Sequence, residues 1–147
     1  HLIPLMDEEK FLLPGENRGS FLIGDIKTSL AICYDLRFPE LTRLYATEGA
    51  ELQVFAAEWP VSRIDHWCTL LQARAIENMM FVAACNRVGT TNSTLFGGHS
   101  MVVDPWGEIL YQGGMTEDFA FVEIDTSKVK KARDFLRVFE MRKPELY

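Results

Sequence analysis

The chain has little cysteine, and its cysteines are not arranged for a disulfide framework or a zinc site. Its 147 residues include only Cys33, Cys68 and Cys85, an odd number without C-x-x-C spacing. No stretch approaches the roughly 18 consecutive apolar residues of a membrane-spanning helix, and no run of about five basic residues could follow a phosphate backbone. We therefore expect neither a metal site, nor a membrane protein, nor a nucleic-acid-binding protein, and free thiols fit a reducing cytoplasm.

The composition fits one globular domain with a sizeable core. Hydrophobic residues make up 48% of the chain and charged residues 24%, and a formal net charge of −6 is spread along it. Since there are no repeats, low-complexity tracts or proline- and serine-rich linkers, we predict a single domain over residues 1–147. The chain starts at His1 in what reads as a continuing loop, so we expect further residues before it.

The hydrophobic pattern predicts alternating strands and helices. Helices are expected at 39–48, at 62–78 with Ser62 and Asp65 as a capping box, and at 127–135 with Ser127 as its cap. Strands are expected at 21–24, 28–32, 52–57, 80–86, 100–104, 108–111 and 119–124, and residues 1–17 and 87–98 are predicted as loops. The charged tail offers a few apolar anchors, Val138, Phe139, Leu146 and Tyr147. This order predicts an α/β layered fold with a mixed sheet.

Residues 31–40, Ala-Ile-Cys-Tyr-Asp-Leu-Arg-Phe-Pro-Glu, lead from a hydrophobic strand through Cys33 into a polar turn and a helix. A cysteine in this place meets outward-pointing backbone N–H groups, whose partial positive charge favours a thiolate. This is a suitable position for a nucleophile. The local pattern alone nevertheless favours an ordinary buried core cysteine, since free cysteine is among the most buried residue types.

A cysteine nucleophile needs a base, a group that holds the oxyanion and a shielded pocket. A histidine is one candidate base, although none of the three lies in a cysteine-protease motif: His1, His66 and His99. Glu8 or Glu9 is another, because the Pro14-Gly15 turn could fold this loop back toward the sheet. The acidic cluster 7–9 also fits a solvated loop.

Two further groups of residues have both a functional and a structural interpretation. Glu58 and Trp59 follow strand 52–57 at its carboxyl end, where ligands bind in open α/β sheets. Trp59 is equally consistent with a core aromatic residue. Near the end of the long helix stand Arg74, Glu77 and Asn78. They either pair across a subunit interface or solvate an exposed helix face, and the second interpretation is the default for such residues.

Three groups of sequence motifs resemble, in their order and spacing, those of the carbon–nitrogen hydrolase (nitrilase) superfamily, and most closely those of its ω-amidase-like branch. They are residues 32–40, His66-Trp67 with 74–78, and 98–100 with 104–108. The resemblance covers essentially the whole chain. It implies an α-β-β-α sandwich, a Glu-Lys-Cys triad supported by a second glutamate, and hydrolysis of non-peptide amide or nitrile C–N bonds without a metal or organic cofactor.

The resemblance also assigns roles to individual residues. Cys33 would be the nucleophile, and Glu8, with Glu9 as the fallback, would be the supporting glutamate. The backbone N–H of Tyr34 would stabilise the oxyanion. Trp59 falls at a substrate-pocket position, and Glu58 stands where relatives often carry Asn, which leaves its role open.

The family's lysine belongs to a Tyr-x-Lys-x-His-Leu motif, of which only His1-Leu2 is present, and its base glutamate lies further upstream. The chain therefore resembles a C-terminal half that is catalytically incomplete by itself. For the intact protein, the resemblance implies hydrolysis of a small ω-amide through a thioester on Cys33, in a cytoplasmic homodimer or larger homo-oligomer. The alternatives are a non-catalytic assembly module, or a hydrolase that acts on a nitrile or a carbamoyl compound.

Overall fold

The centre of the fold is a mixed sheet in the computed structural model, which describes residues 1–146 apart from the Leu5 side chain. Its strand order is β1-β2-β3-β4-β7-β8, and a separate hairpin pairs β5 with β6. The strands are β1 Gly19–Ile23, β2 Ile26–Ile32, β3 Leu52–Ala57, β4 Phe81–Asn86, β5 Val88–Thr91, β6 Thr94–Gly97, β7 Met101–Val103 and β8 Ile109–Gln112. Strands β2, β3 and β4 are parallel, and the outer pairings are antiparallel.

The predicted helices are present, but two of the predicted caps are wrong. Helix α1, Pro39–Thr47, starts with a proline, which suits a first helical position because no N–H is lost there. Helix α2, Ile64–Asn78, follows Arg63, and Ser62 instead lies in the short 3₁₀ turn Val61–Arg63. Helix α3, Ser127–Leu136, is preceded by Asp125, whose carboxylate accepts hydrogen bonds from the Ser127 N–H and hydroxyl.

Helices α1 and α2 cover one face of the sheet and enclose the main core. Fully buried side chains from the sheet, the helices and the turn meet there, among them Leu36, Phe55, Trp67, Leu71 and Val82. On the opposite face, strand side chains such as Leu30 and Ile32 are 39% and 61% exposed. The described residues thus form a mixed sheet with α1 and α2 on one face, while Val129 of α3 packs on the other face against Leu52 and Phe81, in agreement with the predicted α/β class.

Two other predictions are wrong. Residues predicted as the loop 87–98 form the β5–β6 hairpin, whose turn residues Asn92 and Ser93 both have positive φ, as a two-residue hairpin turn requires. Residues 119–124 alternate in polarity but form no strand in the described structure, where Phe119 and Phe121 are 81% and 95% exposed. Alternation alone cannot hold a strand without a partner.

The tail contributes one clear anchor. Phe139 packs against the cluster around Tyr45 and Met80, and the guanidinium groups of Arg43 and Arg133 lie over its ring. Leu146 is 72% exposed, so its predicted anchoring is wrong. Val138 is half-buried, and Tyr147 lies outside the described residues.

Candidate active site

Cys33 lies where β2 stops and the chain reverses direction sharply. Ile32 is still extended at φ −122°, whereas Cys33 has φ 42° and begins the 3₁₀ turn Cys33–Arg37. A positive φ is uncommon for a residue with a side chain, and such strain persists only where the surroundings hold it in place. The predicted corner between strand and helix is therefore present, with the cysteine at its most strained residue.

Hydrogen bonds hold this turn at both ends. At its start, the Asp35 carboxylate accepts a hydrogen bond from the Ile32 N–H at 2.9 Å and lies 2.8 Å from the His1 Nδ1. At its far side, Arg74 Nε and Nη2 donate to the Leu36 carbonyl oxygen at 3.2 and 2.7 Å. Arg74 is only 4% exposed. The prediction of a solvated or interface arginine is wrong, because Arg74 has a partner 38 residues away in sequence.

The surroundings of Cys33 favour its thiol over its thiolate. Burial raises the pKa of Cys33 most, the backbone N–H of Glu58 lowers it, and the carboxylates of Glu8, Glu58 and Asp35 raise it further. The net pKa lies above the ordinary value of 9.0. The prediction that the turn favours a thiolate is therefore wrong for the described residues, because burial and negative charge outweigh the N–H.

A small cleft of about 30 Å³ brings together the predicted Cys33, Tyr34, Glu58 and Trp59. The other residues that line it are Ile3, Met6, Arg37, Pro60 and Arg63. Glu8 stands just behind this lining, where its Oε2 accepts a hydrogen bond from the Ile3 N–H at 2.8 Å. Glu9 is exposed. Of the two glutamates, Glu8 is thus the one tied to the cleft.

Trp59 is both a core residue and a wall of the cleft. It is 3% exposed, its ring lies 5.5 Å from that of Trp67, and its Nε1 donates to the Arg63 carbonyl oxygen at 2.7 Å. The Arg37 guanidinium carbon lies 4.8 Å from the centre of the Trp59 ring, within the range of a cation–π contact. Trp59 is therefore a buried core aromatic residue that also lines the cleft, so both interpretations from the sequence apply.

Asn86 is a site residue that the sequence reasoning missed. Its side chain hydrogen-bonds the backbone N–H and carbonyl of Trp59 and the carbonyl of Gly98, and it is 4% exposed. Its position at the carboxyl end of β4 was the available signal, since polar residues at that edge of a parallel sheet face the ligand crevice. Asn86 thus fixes the wall that carries Glu58 and Trp59.

Glu58 and the histidines complete the surroundings of the cleft. The exposed carboxylate of Glu58 forms an ion pair with Arg87 at 2.9 Å. The ring Nδ1 of His66 lies 3.4 Å from Arg37 Nη2, and that of His99 lies 2.7 Å from the Gly97 carbonyl oxygen. Since His1 is engaged by Asp35, each histidine has a partner other than Cys33. The structure therefore does not support a Cys–His pair.

Among residues 1–146, no group of three or more histidine, cysteine, aspartate or glutamate side chains could hold a metal ion. Within the same residues, no helix combines the length and the apolar character that crossing a bilayer requires.

The family model "Carbon-nitrogen hydrolase" matches residues 1–134. The chain belongs to the carbon–nitrogen hydrolase family. It is 46% identical over its whole length to a 2-oxoglutaramate amidase of Bacillus subtilis (strain 168), of which it spans 57%. The predicted family and α/β fold are thereby confirmed.

Solved structures of this family share the fold. The chain matches a carbon–nitrogen hydrolase from Helicobacter pylori G27 with a TM-score of 0.91 at 25% identity, over 100% of this chain and 57% of that one. It matches a mutant of an amidase from Nesterenkonia sp. AN1 with a TM-score of 0.81 at 29% identity, over 95% of this chain and 50% of that one. In that amidase the acetamide moiety of fluoroacetamide is covalently added to the active-site cysteine. The chain thus spans 50–57% of the length of these relatives.

Proposed function

We propose that this protein hydrolyses a small ω-amide to a carboxylate and ammonia, with Cys33 as the nucleophile. The observation that carries the proposal is the placement of Cys33, strained at φ 42° between β2 and its turn, in a cleft with Tyr34, Glu58 and Trp59. The amidase name of the Bacillus subtilis relative and the cysteine adduct of the Nesterenkonia amidase support the same chemistry.

In the proposed mechanism, the Cys33 sulfur attacks the amide carbon and a tetrahedral intermediate forms. The Tyr34 backbone N–H donates to its oxyanion. The C–N bond then breaks, the nitrogen takes a proton and leaves as ammonia, and a thioester remains on Cys33. Water attacks the thioester carbon as it gives up a proton, the C–S bond breaks, the sulfur takes a proton so that the Cys33 thiol is regenerated, and the carboxylate product leaves.

The raised pKa of Cys33 means that a base must remove the thiol proton before or during the attack. The family resemblance assigns this base and the triad lysine to motif positions that have no match among residues 1–147. Glu8 is half-buried, and its carboxylate accepts a hydrogen bond from the Ile3 N–H. We assign it as the second, supporting glutamate.

Although the carboxylates of Glu8, Glu58 and Asp35 act on Cys33, two arginines of the cleft favour a substrate that carries its own carboxylate. Arg37 and Arg63 line the cleft, and guanidinium groups bind carboxylates through paired N–H donors. The nearby Glu58 carboxylate is already paired with Arg87. We therefore assign an anionic ω-amide of the 2-oxoglutaramate type, the kind of substrate that the name of the Bacillus subtilis relative gives for that protein.

We also propose that the protein is a homo-oligomer in the cytoplasm. A reducing cytoplasm suits its free cysteines.

Ammonia release from 2-oxoglutaramate by the full-length protein tests this function. We expect Cys33→Ala to abolish release and Cys85→Ala, at an exposed cysteine, to retain it. Intact mass after acid quenching should show an acyl adduct on the wild type only. Hydrolysis that survives Cys33→Ala would refute the assignment, and turnover of a nitrile but not of the amide would replace the substrate class.

A further inference from the structure

A buried arginine from α2 contacts the turn that carries Cys33. Arg74 is 4% exposed, and two nitrogens of its guanidinium group donate to the carbonyl oxygen of Leu36 at 3.2 and 2.7 Å. Leu36 is itself fully buried and lies three residues after Cys33 in the same 3₁₀ turn. The contact therefore joins a side chain of the long helix directly to the backbone of the turn.

The guanidinium group of Arg74 is also fixed by residues of its own helix. Arg74 Nη1 donates to Glu77 Oε1 at 2.9 Å, and the Asn78 side chain donates to the Arg74 carbonyl oxygen at 2.9 Å and toward Glu77 at 3.4 Å. A buried charge is tolerated when it has a partner of opposite charge and satisfied hydrogen bonds. Glu77 thus offsets the charge of Arg74 and fixes the plane of its guanidinium group.

This contact matters because Cys33 is strained. A non-glycine residue at φ 42° would relax toward negative φ if the chain after it were free to move. The planar guanidinium group gives two hydrogen bonds in a fixed geometry, which a lysine ammonium cannot reproduce. With the Ile32 N–H bound by Asp35 on the other side, the turn is held before and after the cysteine.

We propose that Arg74 is a positioning residue for the nucleophile: through the Leu36 carbonyl, it holds the turn that directs the Cys33 sulfur into the cleft. This inference rests on the proposed function of Cys33. A purely structural arginine would affect stability alone, whereas a positioning arginine controls the rate of attack by the sulfur.

Arg133 provides a matched control. Its Nη2 also donates to a backbone carbonyl oxygen, that of Ala50 at 2.6 Å, and it too is partly withdrawn from solvent. Ala50 precedes β3, whereas Cys33 follows β2, so this contact lies at the opposite end of the parallel strands. Arg133→Lys and Arg74→Lys therefore each remove a guanidinium-to-carbonyl hydrogen bond, at two ends of one sheet. Arg133 also lies 3.4 Å from the Asn78 carbonyl oxygen and over the Phe139 ring.

The experiment compares Arg74→Lys and Arg133→Lys in the full-length protein by kcat, KM, thermal unfolding and the rate of thioester formation on Cys33, followed by mass after rapid quenching. We expect Arg74→Lys to lower kcat and thioester formation about a hundredfold with little change in KM, the size of effect that a misplacement of about 1 Å produces. Arg133→Lys should lower the unfolding temperature without changing either rate. If Arg74→Lys does not fold, Glu77→Gln should give a smaller fall in the same two rates.

The outcomes separate the two proposals. If the Arg74 and Glu77 variants lose stability but form the thioester at the wild-type rate, the positioning role is wrong while Cys33 remains the nucleophile. If the wild type forms no adduct on Cys33 and Cys33→Ala stays active, the proposed function fails and the positioning role fails with it.

Discussion

The side-chain amide of Asn86 forms hydrogen bonds with both the backbone N–H and the backbone carbonyl oxygen of Trp59. Asn86 Oδ1 accepts from the Trp59 N–H at 2.6 Å, and Nδ2 donates to the Trp59 carbonyl oxygen at 3.1 Å and to that of Gly98 at 2.7 Å. The segment after β3 is thus joined to β4 and to the residues after β6. The wall of the cleft depends on one buried amide.

We expect Asn86→Asp to destabilise the protein because a carboxylate keeps the acceptor but loses the Nδ2 donor. The Gly98 carbonyl oxygen would lose its side-chain donor and the Trp59 carbonyl oxygen would keep only the Gly97 N–H, so the free energy of unfolding should fall by about 1–3 kcal/mol in urea titrations. The same substitution at Asn17, which is exposed, should have little effect. Equal stability of Asn86→Asp and the wild type would show that this amide does not hold the wall.

The strain at Cys33 predicts that glycine at this position gives a protein at least as stable as alanine does. Cys33→Ala and Cys33→Gly both remove the sulfur, but only glycine adopts φ 42° without steric cost. We expect Cys33→Gly to equal or exceed Cys33→Ala in stability, by up to about 1 kcal/mol, in chemical denaturation.

Ala31, two residues earlier in β2, is the control for this prediction. It is 3% exposed and lies inside a strand, where glycine weakens the structure. Ala31→Gly should therefore be destabilising. If glycine is worse than alanine at both positions, the backbone at Cys33 is not strained.

Removing the charge of Glu8 should lower the pKa of Cys33, whereas removing the charge of the adjacent Glu9 should leave it unchanged. The Glu8 carboxylate contributes, after burial, to the raised pKa of Cys33, whereas Glu9 is exposed and has no such effect. Glu8→Gln can still accept the Ile3 N–H but removes the charge. The pKa of Cys33 should fall, so its alkylation by iodoacetamide should extend to lower pH, while Glu9→Gln leaves the profile unchanged. A shift in the Glu9 variant alone would make Glu9 the supporting residue.

The sequence was sufficient to predict that Cys33, Glu58 and Trp59 meet in the cleft. Cys33 ends β2 and Glu58 follows β3, and the carboxyl ends of neighbouring parallel strands lie at one edge of the sheet. Cys33, Glu58 and Trp59 could thus be brought together from strand order alone. Proline at the start of α1 fixed where the turn after Cys33 had to end.

Strand order could place Asn86 at the edge of the cleft, but the backbone partners of Asn86 and Arg74 could not be predicted in this way. Arg74 and Asn86 are polar residues that ordinarily lie at the surface, and both are buried because distant backbone atoms satisfy them. Such partners follow from tertiary packing and leave no periodic pattern. The β5–β6 hairpin was missed for a related reason, since its glycine, threonine and asparagine residues are as typical of loops as of hairpin turns.

The acid stability of the protein should depend on Asp104. Its carboxylate is 1% exposed and accepts hydrogen bonds from the N–H groups of Trp106 and Glu108 at 2.8 and 3.0 Å and from Lys128 Nζ at 2.9 Å. Burial by itself would raise the pKa of Asp104, but these three donors together lower it below its ordinary value of 3.8. The ionised carboxylate thereby ties the turn after β7 to α3.

Because its pKa is lowered in the folded state, the ionised Asp104 stabilises the protein at pH values above the unfolded pKa, and this contribution is lost as the pH falls through the folded pKa. We therefore expect Asp104→Asn to lower the free energy of unfolding at pH 7 and to reduce its loss between about pH 5 and pH 2, as measured by urea titration at each pH. The control is Asp134→Asn, at an exposed ion pair with Lys130, which should change neither value appreciably. If Asp104→Asn loses stability in acid as steeply as the wild type, another carboxylate governs acid unfolding.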